Sequence, residues 1–151
     1  MTDLDLFDDP AQRRDALNKM APDRTTIGNF HETLLEIFHR EMTYRDSDQS
    51  DDPENNYFEQ LYWCGLLLYL VGDPADVPLM WKAKNINMDT GCGFDVQFLV
   101  GAGVQETIRY LETRGEIEIL EYLKECDAAN DFDDMPRWEE YRIKYFYQNF
   151  N

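Results

Sequence analysis

Positive charge is what this chain has least of. Fourteen lysines and arginines stand against 31 aspartates and glutamates, a formal net charge of −17. Such a surface repels phosphate backbones and anionic membranes and attracts basic partners, so neither nucleic acid nor a membrane is an expected ligand. Cysteine is scarce as well. Cys64, Cys92 and Cys126 are an odd number without CxxC spacing, which gives neither a disulfide framework nor a zinc site and fits a reducing cytoplasm. Long apolar runs are missing too. The longest, Leu66 to Val71, falls far short of the ~20 residues of a membrane span. Met1 leads into Thr-Asp-Leu-Asp-Leu rather than a basic and then apolar stretch, so no signal peptide is expected.

Catalytic and cofactor motifs are also missing. The two histidines, His31 and His39, fall on one helical segment with no nucleophile turn elsewhere, so no Ser-His-Asp or Cys-His arrangement can be drawn. His31-Glu32 begins like a HExxH metal helix, but eight residues of helix at ~1.5 Å each hold the imidazoles about 12 Å apart. Gly101-Ala102-Gly103 before a helix mimics a dinucleotide turn, yet Glu106 stands where the third glycine belongs. A carboxylate there repels pyrophosphate at the helix N-terminus, so a tight interhelical turn is the better reading. Asp46-Ser47-Asp48-Gln49-Ser50 starts like a calcium loop but has Asp51 and Tyr57 where glycine and glutamate are required. The expectation is no enzyme, no cofactor and no metal.

What is present is helical patterning along a single domain, 1–151, with a short acidic arm over 1–9. Asp9-Pro10 is a helix start, with the aspartate as N-cap and the proline in the first turn. Thr25 or Thr26 opens a helix to about Tyr44, with Ile27, Phe30, Leu34, Ile37, Phe38 and Met42 as one apolar stripe. Glu32, Glu36, Arg40 and Arg45 take the other faces, and Glu36–Arg40 has favourable i,i+4 order. Tyr57 to Val71 is apolar almost all round and reads as the centre of the domain; Gly72-Asp73-Pro74 stops it. A short helix follows over 75–84, directing Val77, Met80 and Trp81 inward. A nine-residue connection, Asn85 to Gly93, comes next.

Phe94 to Val100 is read as helical because no strand partner is visible elsewhere. A helix over 104–114 has Val104, Ile108 and Leu111 inward. The apolar positions then change phase at Gly115, which calls for a second helix with Ile117, Leu120 and Leu123 inward. An acidic loop over 127–134 precedes a last helix from Pro136 that packs Trp138, Tyr141, Tyr145 and Phe146. Leu70-Val71-Gly72 and Leu99-Val100-Gly101 stand 29 residues apart, about the length of a helical hairpin. The fold class is therefore all-α, a single-domain bundle of helical hairpins with α-solenoid-like layout.

Two features carry the functional argument. Trp81-Lys82-Ala83-Lys84 holds the closest lysine pair of a cation-poor chain. It is either a solvated face or an internal ion pair with Asp89 or Asp95 that pins the 85–93 connection. The acidic loops present Asp46, Asp48, Asp51, Asp52 and Glu54 in one place and Asp131, Asp133 and Asp134 in another. These eight residues are the candidate partner-binding positions, because loops held by helices are free to make contact.

In size, acidity, helical-hairpin layout and the segment LMWKAKNINMDTGCGFDVQFLVGAGVQETIRYL from Leu79 to Leu111, the chain resembles the helical immunity proteins of bacterial polymorphic toxin systems. The resemblance implies stoichiometric blocking of a cognate basic toxin domain, such as a nuclease, by a monomer or weak homodimer. It carries over no residue by motif. The alternatives are an acidic nucleic-acid mimic acting on a DNA-binding protein and a helical-repeat adaptor.

Overall fold

The computed structural model describes residues 6–47 and 56–149. Among them are eight α-helices and several short 3-10 turns, with no strand. No described helix is long and apolar enough to cross a membrane.

Helix α1 (Pro10–Asn18) begins as its sequence dictates: the Asp9 carboxylate accepts from the Ala11 N–H at 2.9 Å, with Pro10 in the first turn. A 3-10 turn over Ile27–Phe30 leads into α2 (His31–Arg45). The helix thus starts later than Thr25 or Thr26. At Phe30 the backbone leaves helical geometry (φ −106°, ψ 9°), the apolar stripe loses phase, and that ring is 38% exposed. Leu34, Ile37 and Phe38 are fully buried as expected, but the buried face then continues through Glu41 and Arg45. Arg45 is therefore not a solvated residue. Its guanidinium donates to the Tyr62 hydroxyl at 3.1 Å and lies over the Phe58 ring. Arg40 pairs with Asp8 rather than with Glu36.

Helix α3 (Gln60–Val71) is the axis of the fold, with every residue from Gln60 to Leu70 buried. It packs on α2, on α1 and on the chain around Val96–Val100. Gly72, at φ 73°, caps it in the left-handed region, and its N–H reaches the Leu68 carbonyl at 3.0 Å. The two Leu-Val-Gly triplets meet here. A Cβ on Gly101 would stand 2.0 Å from the Tyr69 carbonyl oxygen, and one on Gly72 would stand 3.2 Å from the Gly101 oxygen. Glycine is needed because backbone touches backbone. The first triplet ends an α-helix, whereas the second ends a 3-10 turn over Val96–Val100.

After a 3-10 turn over Pro74–Asp76 comes α4 (Val77–Lys84), which tolerates Pro78 in its first turn. The expected 85–93 connection contains a helix, α5 (Met88–Gly93). Asn87 and Thr90 form a reciprocal capping box that a count of turn-forming residues overlooks. Lys84 settles the reading of its segment: it is buried and donates at 2.7 Å to the carbonyls of both Gly91 and Phe94. It does pin the connection, through backbone oxygens rather than through Asp89 or Asp95.

Helix α6 (Val104–Arg114) and helix α7 (Ile117–Ala128) pack as a hairpin hinged at Gly115 (φ 69°). The phase change is real but lands differently. Ile117, the first residue of α7, is 64% exposed, and Ile119, Leu123 and Cys126 form the buried stripe. Helix α8 (Met135–Asn149) returns to the N-terminal half. Phe146 stacks on Trp63 at 5.8 Å, and the Tyr147 hydroxyl donates to the Met20 carbonyl at 2.5 Å. Tyr141, expected inside, is 60% exposed. The inward face of α8 runs through Trp138, Arg142 and Phe146, one residue out of register with Tyr141. Trp138 and Arg142 both donate to the Asp95 carboxylate, at 2.9 and 2.8 Å.

Candidate functional site

Most of the cations of this chain are engaged internally. Arg13, Arg24, Arg40, Arg109, Lys124, Arg142 and Lys144 all form ion pairs within the chain. Arg45 and Lys84 bond to hydroxyl or carbonyl oxygens inside. Arg14 bonds to Gln60 and stacks on Tyr57. The acidic excess is left on the surface, where it is organised rather than scattered.

The end of α7 carries most of that organisation. Asn130 takes a left-handed conformation (φ 66°), the Asn130 N–H donates to the Asp127 carbonyl, and the Asp131 N–H donates to the Cys126 carbonyl at 3.0 Å. This is a Schellman closure with asparagine in the usual glycine position. Phe132 then plugs into the core, and Gln97 donates to the Asp131 carbonyl at 3.2 Å. The residues flanking Phe132 are thereby turned outward: Asp131, Asp133 and Asp134 are exposed. Helix α7 runs to Ala128, so the expected acidic loop is shorter and more rigid than 127–134.

Three residues missed by the sequence reading extend this patch. Glu118, Glu121 and Glu125 recur at three- and four-residue steps on α7, all exposed, opposite Ile119, Leu123 and Cys126. They form a stripe about 10 Å long at ~1.5 Å per residue, leading into the acidic turn. Their spacing is visible in the sequence, on the helical segment that follows Gly115 rather than in an acidic loop. None is in an ion pair, and Lys124 on the same helix reaches back to Glu112.

Asp46 belongs to another corner. It caps the C-terminal end of α2, exposed, and lines an open groove of about 490 Å³ with Met42, Thr43, Ser47 and Ile86. A carboxylate at the negative end of a helix is locally unfavourable. Asp48, Asp51, Asp52 and Glu54 lie outside the described residues.

A second cluster joins a histidine to two aspartates. His31, the first residue of α2, places Nε2 2.7 Å from the Asp76 carboxylate, and Asp73 joins them with ligand atoms within 4.8 Å of one another. Burial pushes the Asp76 carboxyl up; the His31 hydrogen bond opposes that, and the Asp73 charge adds to it. His39 is exposed on the same helix and takes no part.

The two buried thiols, Cys64 and Cys126, do not suit nucleophilic chemistry. Burial pushes Cys64 well up and also raises Cys126, to which the Asp131 carboxylate adds, so both stay protonated at neutral pH. No family model, curated protein or solved structure matches this chain.

Proposed function

We propose that this chain is an immunity protein that neutralises a cognate bacterial toxin by one-to-one, charge-complementary blocking in the cytoplasm. The observation that carries the reading is the uncompensated acidic face of α7 and its closing turn: Glu118, Glu121, Glu125, Asp131, Asp133 and Asp134. It is presented by a helix whose opposite face is locked into the core. A pre-formed surface loses little conformational freedom on binding, and its field raises the encounter rate with a basic protein.

A toxin that acts on nucleic acid must itself be basic where it binds its substrate, so an acidic blocker competes for the same ground. Asp46 and the carboxylates at 48, 51, 52 and 54 supply a second candidate contact. The test is co-expression with the basic toxin domain encoded beside this gene, read as growth of a sensitive host, together with the stoichiometry of the purified pair. The expected result is rescue of growth and an equimolar complex. Unrescued growth with no complex overturns the proposal.

A further inference from the structure

The geometry points to a divalent-cation site formed by His31, Asp73 and Asp76, where the N-terminus of α2 meets the turn between α3 and α4. The three side chains come from separate positions in the chain, and their ligand atoms lie within 4.8 Å of one another. Around a tetrahedral first-row ion with bonds of about 2.0–2.2 Å, neighbouring ligand atoms sit roughly 3.3–3.6 Å apart. The His31–Asp76 pair, at 2.7 Å, has to open by less than about 1 Å to reach that edge length.

The supports are fixed beforehand. The Asp73 Oδ1 atom accepts from the Ala75 N–H at 2.9 Å as the cap of the 3-10 turn, which orients the second oxygen. Asp76 is buried, while His31 is half-buried, so the cluster has a dry side and an open side. No described lysine or arginine forms an ion pair with either aspartate, and their two charges face one imidazole. To ligate, Nε2 must be without a proton, any proton there passing to solvent, while Nδ1 carries the ring N–H.

The donor set selects the ion. An imidazole nitrogen favours zinc-like transition ions over magnesium or calcium, and the absence of thiolate from the three donors disfavours soft monovalent copper. Three protein ligands leave the open side for water or for a donor from another molecule. None of the three ligand residues belongs to α7, and the proposal does not depend on the immunity reading.

The decisive experiment is titration of the metal-free protein with Co²⁺, followed by visible absorbance, in 0.15 M salt with excess Mg²⁺ to suppress diffuse binding to the acidic surface. The expected result is saturation at one equivalent with d–d bands that Zn²⁺ abolishes. Asp73→Asn keeps a capping oxygen and removes the charge, and Asp76→Asn and His31→Gln remove the other ligands. Each should weaken binding at least about ten-fold, while the exposed Asp15→Asn leaves it unchanged. Melting without metal separates lost ligation from lost folding, and Zn²⁺ should raise the midpoint of the wild type but not of Asp73→Asn. Weak multi-equivalent binding without d–d bands, or wild-type affinity in a folded Asp73→Asn, overturns the site.

Discussion

The seam between α1, α2 and α3 and the outer face of α7 are built from the same acidic residue types and use them in opposite ways. In the seam, Glu41 is 1% exposed, Arg13 donates to it at 2.5 Å and Gln60 at 2.9 Å, and Gln60 also reaches the Pro10 carbonyl. Burial pushes the Glu41 carboxyl up, and the Arg13 and Gln60 contacts pull against it. On α7 the carboxylates stand in solvent with their own cations engaged elsewhere. The buried charge joins three helices, with Arg13 on α1, Glu41 on α2 and Gln60 on α3 in one network. Glu118, Glu121 and Glu125 on α7 form no ion pair among the described residues and stand exposed.

That contrast can be broken first at the seam. Glu41→Ala leaves Arg13 buried without its counter-ion, a change that costs about 3–5 kcal/mol. For a domain of this size the melting midpoint should fall by roughly 10 °C or more. Arg13→Met with Glu41→Leu should recover much of the loss, because the pair disappears together; equal damage from both variants would show that the seam depends on shape alone. Gly101→Ala comes next. The new methyl group would collide with the Tyr69 carbonyl, and overpacking of this kind costs about 1–3 kcal/mol or more by denaturant unfolding.

A smaller effect belongs to the partly exposed Arg24–Glu139 pair. Burial raises the Glu139 carboxyl, but the hydrogen bonds and charge from Arg24, with help from Tyr69, outweigh it and hold the group below its ordinary 4.5. A depressed folded value means stability present above 4.5 and lost as the pH falls through the folded value. The loss should be at most about 1 kcal/mol, and Glu139→Gln should abolish that share of the acid dependence. Least affected should be a variant carrying Glu118→Gln, Glu121→Gln, Glu125→Gln, Asp133→Asn and Asp134→Asn. Its stability should stay within about 0.5 kcal/mol of wild type, because like charges are removed as well as solvated ones. A large destabilisation would place those carboxylates in the seam's category.

The helices were legible because stripes at three- and four-residue steps and glycine stops are local signals. Gly72 and Gly115 end helices in the left-handed region as read from sequence. Polar residues on buried faces were not legible, since Glu41, Arg45 and Lys84 go inside only for partners on other elements. Phe30, Ile117 and Tyr141 failed for a related reason: each stands where a 3-10 turn, a helix start or a one-residue rotation shifts the stripe. At the candidate sites, Asp131, Asp133 and Asp134 were found from charge alone. The three- and four-residue spacing of the α7 stripe was legible too, whereas the His31–Asp73–Asp76 cluster needed the tertiary fold, because nothing local links position 31 to position 76.

The central claim is that the acidic face of α7 steers a basic partner without holding the fold together. It is tested most directly by association kinetics with the proposed basic cognate toxin domain, comparing wild type with the five-site α7 variant across a salt series. The account predicts that the variant associates about ten-fold more slowly at low salt, and that the two rates converge as the Debye length shrinks from ~10 Å at 0.1 M to ~3 Å at 1 M. Identical association rates and identical salt slopes for a folded variant would contradict it.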